Sequence, residues 1–230
     1  MYGRVLVHHK GHASARKFFN SYTAPSYDFV VRTTTFGRDA AWKSQILAEI
    51  RTRKKVLDLA CGTGILAAMV DAGSRGRVTG LDLTFEYLQM ARRKMPLACV
   101  QATAEAIPYR DGTFDAVISS YLAKYVDLRA LAGECWRVLA PGGIAVFHDF
   151  TCPENPAMHG LWRLYFAILR VAGELARSSW KGVFCDLDRV ICESHWTGAL
   201  QEALQERGFA GIKCKRYTLG TTGMVVAKKP

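Results

Sequence analysis

From Lys55 onward the chain alternates short β-branched runs with helical stretches, and that alternation admits few folds other than a doubly wound α/β sheet. Strands are predicted over 55–60, 77–83, 97–102, 114–119, 144–150, 212–218 and 224–228, and helices over 65–71, 85–95, 128–139 and 197–207. The first five strands read as parallel, because helical connections separate them. The last two are joined by Leu219-Gly220-Thr221-Thr222-Gly223, a hairpin length, so the final strand is expected to run antiparallel to its neighbour. The fold class expected is therefore α/β, a Rossmann-like seven-stranded sheet, mostly parallel with the last strand antiparallel. Two segments fall outside the alternation. Residues 1–53 are basic and read as helical around 14–21 and 39–51; residues 151–196 are rich in Trp, Phe and Leu. Both are expected over the carboxyl ends of the strands, where open α/β sheets bind ligands, as an N-terminal lid and a helical cap inserted in a ligand-binding domain of residues 54–230.

The sharpest local motif is Val56-Leu57-Asp58-Leu59-Ala60-Cys61-Gly62-Thr63-Gly64, a buried-type strand running into a glycine turn and then a helix. Gly62 and Gly64 let the backbone approach a ligand closely, and the helix start offers free N–H groups. Beyond them Gly80-Leu81-Asp82-Leu83 places a carboxylate at the end of the second strand, where it can accept both hydroxyls of a ribose. Gly62-x-Gly64-x-x-Ala67 also satisfies the dinucleotide fingerprint, which keeps a nicotinamide-dependent reductase as a rival. Against it, Asp58 at the strand end would repel a pyrophosphate, whereas it can help to hold the ammonium of an amino acid moiety.

Composition narrows the class of protein. With 50% hydrophobic and 22% charged residues, 230 residues are enough for a sizeable core, and no repeat or biased tract stands out. The apolar stretch 161–176 is interrupted by Arg163, Arg170 and Glu174, so no membrane-spanning helix is expected. The N-terminus lacks the apolar run of an export signal. Seven cysteines contain no C-x-x-C pair and leave one unpaired under any scheme, which points to a reduced, cytoplasmic chain whose cysteines act as small buried hydrophobes. The net charge is +11, of which residues 1–55 carry +8. Such a region suits an anionic membrane surface, acidic ligands or nucleic acid. Nucleic acid is set aside, because no RNA-module motif and no basic–aromatic interleaving is present. His8, His9 and His12 have no acidic or Cys partner nearby, so no metal site is expected.

Further motifs follow in order. Gln101-Ala102-Thr103-Ala104-Glu105-Ala106-Ile107-Pro108 comes after the third strand, Asp111-Gly112-Thr113-Phe114-Asp115-Ala116 opens the fourth, and Leu139-Ala140-Pro141-Gly142-Gly143 precedes the fifth. Across residues 55–150 the chain resembles the class I S-adenosylmethionine (SAM)-dependent methyltransferases. The resemblance implies SAM as cofactor and S-adenosylhomocysteine as its product. By that resemblance Asp58, Ala60, Gly62 and Gly64 lie around the methionine part, Asp82 holds the ribose hydroxyls, Leu83 with Thr103, Ala104 and Glu105 flanks the adenine, and Ser119 begins the loop beneath the sulfonium. A narrower resemblance joins Phe18-Phe19-Asn20, Ala24-Pro25-Ser26-Tyr27-Asp28, Thr35-Phe36-Gly37 and Trp42 to Asp149-Phe150-Thr151-Cys152-Pro153, Gly208-Phe209 and Tyr217–Gly223. Here the chain is similar to the ubiquinone/menaquinone-biosynthesis C-methyltransferases, with Tyr27 placed beside the cofactor. It departs from them at Thr103, where many relatives carry Asp or Asn, at Lys124-Tyr125 in place of an Arg-Asn pair, and at Cys152 in place of a Lys.

Methyl transfer from a sulfonium is an in-line displacement, so alignment and exclusion of water count for more than catalytic side chains. Carbon methylation of a quinol ring also requires a neighbouring hydroxyl to lose its proton. Lys124, Tyr121, His148 and Asp149 fall at the carboxyl ends of the fourth and fifth strands and are the catalytic candidates. Lys124 is read as the cation facing a phenolate, and His148 as a group that titrates near neutrality. The expected acceptor is lipophilic, with a demethylated polyprenyl quinol leading and a phospholipid amine or other aromatic compound as the alternative. A non-catalytic SAM-binding module is the remaining rival. The stretch 161–172 is read as a helix over the site that also opens onto a membrane, which would make the protein peripheral there.

Overall fold

The computed structural model describes residues 15–73, 77–176 and 178–230. Seven strands, β1 (Lys55–Leu59), β2 (Arg77–Asp82), β3 (Ala98–Gln101), β4 (Phe114–Ser120), β5 (Leu139–Phe150), β6 (Ala210–Tyr217) and β7 (Thr222–Lys228), form one sheet in the order β3-β2-β1-β4-β5-β7-β6. β1 pairs in parallel with β2 and β4, and β7 runs antiparallel to both β5 and β6, as the hairpin length between 218 and 222 predicts. The helices are α1 (Tyr27–Thr34), α2 (Arg38–Ile50), α3 (Ile65–Gly73), α4 (Phe85–Lys94), α5 (Leu128–Val138), α6 (Pro156–Leu175), α7 (Lys181–Ser194) and α8 (Trp196–Arg207).

Alternation along the central strands sends successive side chains into two apolar layers. Leu57, Leu59, Val117 and Phe147 meet Leu131 and Cys135 of α5 and Leu200 and Leu204 of α8. Val56, Ala116, Ile118 and Val146 meet Ile46 and Ile50 of α2, Leu66 and Val70 of α3 and Leu88 of α4. Each fully buried Leu or Ile contributes about 1.5–3 kcal/mol, so these layers fix the sheet on which the loops stand. Helix starts are set locally. Asp127 caps α5 by accepting from the amides of Arg129 (2.8 Å) and Ala130 (3.0 Å), and Asn155 caps α6 in the same way just before Pro156.

The segments outside the alternation meet over the carboxyl edge of the sheet. Phe18, Tyr125, Trp180, Val183 and Phe184 form one cluster there, and Trp162, Phe166 and Ile191 another. Residues 15–18 and 38–50 are helical as expected, whereas α1 between them was not foreseen. It is only eight residues long and carries the β-branched Val30, Val31, Thr33 and Thr34, which weaken a helical reading. Residues 151–196 resolve into two helices, α6 and α7, and a long β5 begins at Leu139, ahead of the glycine pair where the sequence reading starts it. Among the described residues no helix is long and apolar enough to cross a membrane.

The cysteines need a correction. Cys152, in the loop after β5, is disulfide-bonded to Cys192 of α7 (S–S 2.17 Å), because the fold brings together two positions 40 residues apart that sequence spacing cannot pair. Cys61 and Cys135 are buried as expected, but Cys185 and Cys214 are exposed. The His8, His9 and His12 cluster lies outside the described residues.

Candidate active site

Three adjoining depressions lie at the carboxyl edge of the sheet. The first, a cleft of about 750 Å³ including its open mouth, runs between the loops after β1, β2 and β3 and beneath the N-terminal segment. Ala60, Gly62, Asp82, Leu83, Thr103, Ala104, Glu105 and Tyr27 all line it. Asp82 is buried, and its two carboxylate oxygens accept from the amides of Gly62 (2.8 Å) and Thr84 (2.8 Å). Each oxygen keeps further acceptor capacity for a ligand hydroxyl. Burial pushes the Asp82 pKa up to about 6, with those amides pulling it back. Gly62 sits at φ +55, where a side chain would be strained, and its bare Cα leaves the cleft floor open.

The second depression continues the first toward α2 and is polar. Tyr27, Lys43, Asp58, Ala60, Gly62, Thr63 and Tyr121 are among its walls. Asp58 is 1% exposed, its Oδ2 has no hydrogen-bond partner, and burial raises its pKa to about 8 against the pull of the Lys43 cation. Lys43 is itself buried; it pairs with Asp39 one turn back on α2 and lies 4.8 Å from the Tyr121 ring centroid. Asp39 also accepts from Tyr121 Oη at 2.7 Å. The orphaned Asp58 oxygen at one end and the Asp82 carboxylate at the other suit a ligand that carries an ammonium and a pair of vicinal hydroxyls.

The third depression is the largest, a cleft of about 1330 Å³ including its open mouth, between α1 and α2 on one side and α6 and α7 on the other. Its walls are apolar and aromatic: Val30, Phe36, Trp42, Phe150, Trp162, Tyr165, Phe166, Leu169, Trp180 and Leu187 among others. Phe19, Tyr27, Tyr121 and Tyr125 line both this cleft and the first. Arg38 stands exposed on its wall, and one buried cation also reaches it. Lys124 has a side chain 2% exposed, donates to Asp149 Oδ1 (2.5 Å) and to Tyr121 O (3.2 Å), and lies 4.6 Å from the Tyr125 ring centroid. Burial lowers its pKa, and the facing Asp149 carboxylate offsets part of that drop. Tyr125 Oη is buried with no partner, and burial holds the phenol well above its ordinary pKa.

Tyr121 stands where the three depressions meet. It adopts φ +72, rare for a bulky side chain, with its amide donating to His148 O at 2.8 Å and its ring stacked on Phe150 at 4.7 Å. The strained backbone is what turns its ring across the end of β4.

The expected site residues thus fall into two groups. Lys124 and Tyr121 line the apolar cleft, and Asp149 lies behind Lys124, fully buried. His148 requires a correction as a titrating group: it is 1% exposed, lies behind Trp42 and Tyr121, and its pKa is lowered to about 3 by burial, then by the Lys43 and Lys124 cations. It is a neutral imidazole at any ordinary pH. Ser119 donates its hydroxyl inward to Leu59 O at 2.7 Å, and by strand alternation it is Ser120 that lines the clefts. Gly64 lines neither cleft; a Cβ there would come within 3.1 Å of Ala91 Cβ, so this glycine lets α4 approach the turn. Lys43 and Asp39 were not singled out from the sequence, whereas Tyr125, read at the carboxyl end of the fourth strand beside Lys124, lines both large clefts. A buried lysine one turn after an aspartate looks in sequence like a solvated helical pair.

The profile of the ubiE/COQ5 methyltransferase family matches residues 8–229. The chain belongs to the ubiE/COQ5 methyltransferase family. It is similar to a demethylmenaquinone methyltransferase of Chlorobaculum parvum, 31% identical over 98% of this chain and 97% of that protein. It is similar also to a demethylmenaquinone methyltransferase of Thermus thermophilus, 33% identical over 90% of this chain and 98% of that protein. Among solved structures, a SAM-dependent methyltransferase fold from Methanococcus maripaludis superposes with a TM-score of 0.70 at 16% identity, covering 93% of this chain and 95% of that one. The ubiE/COQ5 member described here is therefore an enzyme, a SAM-dependent methyltransferase on the α/β fold that its alternation predicts.

Proposed function

We propose that the enzyme methylates a ring carbon of a demethylated polyprenyl quinol, in the cleft between α1–α2 and α6–α7, drawing the acceptor from an anionic membrane surface at which the protein is peripheral. The observation that carries this reading is an apolar cleft, walled by aromatic rings, whose inner end holds the buried Lys124 ammonium next to the wall it shares with the first cleft. The names of the two relatives above support the quinone chemistry.

In this reading Asp82 accepts the ribose hydroxyls, and Leu83, Thr103, Ala104 and Glu105 flank the adenine. Asp58 takes the ammonium of the methionine moiety and Lys43 faces its carboxylate. SAM held there would supply an electrophilic methyl group, with S-adenosylhomocysteine as the leaving group, and the ring C–H proton that the methyl replaces would be released to solvent. Lys124 Nζ faces the acceptor's phenolic oxygen and stabilises its anion, so that electron density reaches the ring carbon. Asp149 holds that ammonium in place. Tyr125 Oη, a neutral donor with no partner among the described residues, adds a second hydrogen bond to the same oxygen. Tyr27 and Tyr121 close the junction and exclude water. N-terminal residues and the α6–α7 pair act as lid and cap in this scheme.

Incubating the enzyme with methyl-labelled SAM and a demethylmenaquinol tests the proposal. Label in the quinone fraction, on carbon by mass spectrometry, is the expected result. Label in a phospholipid amine, with none in the quinol, would replace the acceptor.

A further inference from the structure

Helix α6 carries apolar residues on more faces than its packing uses. Trp162 and Phe166 are buried against α7, and Tyr165 and Leu169 line the apolar cleft. A separate row, Leu161, Leu164, Ile168, Val171 and Leu175, is 57–81% exposed. Its spacing of three and four residues places the row on one side of the helix, about 21 Å long at the α-helical rise. A single exposed leucine needs no explanation, but five in line on one helix form the kind of patch that marks an interaction surface.

What covers this row is indicated by its borders. Leu161 belongs to both surfaces, being 59% exposed and part of the apolar cleft wall. On the opposite wall Phe36, 80% exposed, also lines the cleft, and its ring lies 5.8 Å from that of Tyr165. Leu219, 73% exposed, stands between the cleft-lining Thr218 and Thr221. The cleft mouth is thus ringed by exposed apolar side chains from three segments. Along its other edge the row borders a shallow groove lined by Gly160, Arg163, Leu164, Ala167 and Arg170; Arg170 is paired with Asp188, so it is the Arg163 guanidinium that stands beside the apolar stripe. An apolar stripe with a cation on its flank, on a chain of net charge +11, complements a bilayer of anionic lipid, where side chains enter the acyl boundary and an arginine meets phosphates.

We propose that the outer face of α6 docks on an anionic lipid bilayer, with the row Leu161 to Leu175 in the acyl boundary and Arg163 at the headgroups, so that the cleft mouth opens directly onto the lipid. This rests on the acceptor reading above only for its purpose, not for its evidence. A polyprenyl acceptor then passes from membrane to cleft along a continuous apolar path without crossing water.

The test is co-sedimentation of the full chain, without any acceptor, with vesicles of phosphatidylglycerol and phosphatidylcholine and with vesicles of phosphatidylcholine alone. Ile168→Glu/Val171→Glu alters exposed residues that line no cleft, so the fold is retained, as an unchanged melting temperature will show. Wild-type protein is expected on the anionic vesicles, the double variant at least tenfold more weakly bound, and Arg163→Glu several-fold weaker with a reduced dependence on salt. Turnover of a short-tailed, water-soluble quinol is expected to be equal in wild type and double variant, whereas turnover of a long-tailed quinol in vesicles falls in the variant. Equal vesicle binding by the double variant, or none by wild type, overturns the proposal. So does a wild-type dimer that the double variant dissolves, which would assign the row to a second copy of the chain. Vesicle binding that the variant loses, with no quinol methylated by either protein, upholds the docking face and overturns the acceptor reading instead.

Discussion

The cleft proposed for the cofactor and the apolar cleft share a wall but are built from opposite materials. The first, with the polar recess that continues it, is made mainly by strand ends and the turns that leave them, so its carboxylates Asp58, Asp82 and Glu105 stand along the sheet edge among backbone amides, joined by Lys43 from α2. The second is made by helices from two distant stretches of chain, and apart from Lys124 and Arg38 its walls are hydroxyl-bearing or apolar. A site built on strand ends needs a few residues at fixed spacing, and tolerates little change among them. A site built between helices needs only size and greasiness, and many sequences supply those.

The sharpest way to break this comparison is to remove the one buried cation of the apolar cleft. Lys124→Met is expected to lower kcat about 100-fold or more while S-adenosylhomocysteine affinity stays within about threefold, since charge stabilisation at the reacting oxygen is a term of that size. It leaves Asp149 buried without its cation, so Lys124→Met/Asp149→Asn serves as the folding control. Wild-type kcat in both variants would remove Lys124 from the chemistry. On the other side of the wall, Asp82→Ala is expected to weaken S-adenosylhomocysteine about 100-fold by calorimetry, the loss of two hydrogen bonds to a charged group. Methylthioadenosine, which keeps the ribose, should lose as much.

Lys43→Met/Asp39→Asn sharpens the division within the cofactor cleft. It is expected to weaken S-adenosylhomocysteine about tenfold and leave methylthioadenosine unchanged, because only the former has a carboxylate for Lys43 to face. Equal losses for both ligands would make the Lys43–Asp39 pair a structural brace.

The smallest effect is in protons. Asp58 has its pKa raised to about 8, so in the empty cleft at pH 7 it is mostly protonated. An arriving ammonium favours the carboxylate, so binding of S-adenosylhomocysteine should release most of a proton at pH 7 and progressively less as pH rises through about 8. Calorimetry in buffers of differing ionisation heat reads this directly, and no buffer dependence would show that Asp58 does not meet the ammonium. The same raised values set the stability of the free enzyme. The contributions of Asp82 and Asp58 are full below about pH 4 and are lost as pH rises through about 6 and about 8, so the melting temperature should fall across that window less steeply in Asp58→Asn.

The division also explains what could be read from the sequence. The seven strands, the antiparallel last strand and the placing of Ala60, Gly62, Asp82, Leu83, Thr103, Ala104 and Glu105 around one cleft follow from periodicity and from motifs whose spacing the sheet enforces. Ser119 and Gly64 stand at the right place with their side-chain positions turned elsewhere, a matter of strand alternation and helix approach that motif matching does not resolve. His148 has the right residue type at the right sheet edge, but its burial behind Trp42 depends on a helix more than 100 residues earlier. Lys43, Asp39 and the Cys152–Cys192 bond depend likewise on contacts between distant segments, which no local pattern records.

Four aromatic residues, Phe19, Tyr27, Tyr121 and Tyr125, belong to the linings of both clefts at once. A ring cannot shift against one ligand without shifting against the other. Linkage then requires reciprocity between any two ligands of these clefts: by whatever factor an occupied apolar cleft tightens or loosens the hold on a ligand of the first cleft, an occupied first cleft changes the hold on the ligand of the apolar one by that same factor.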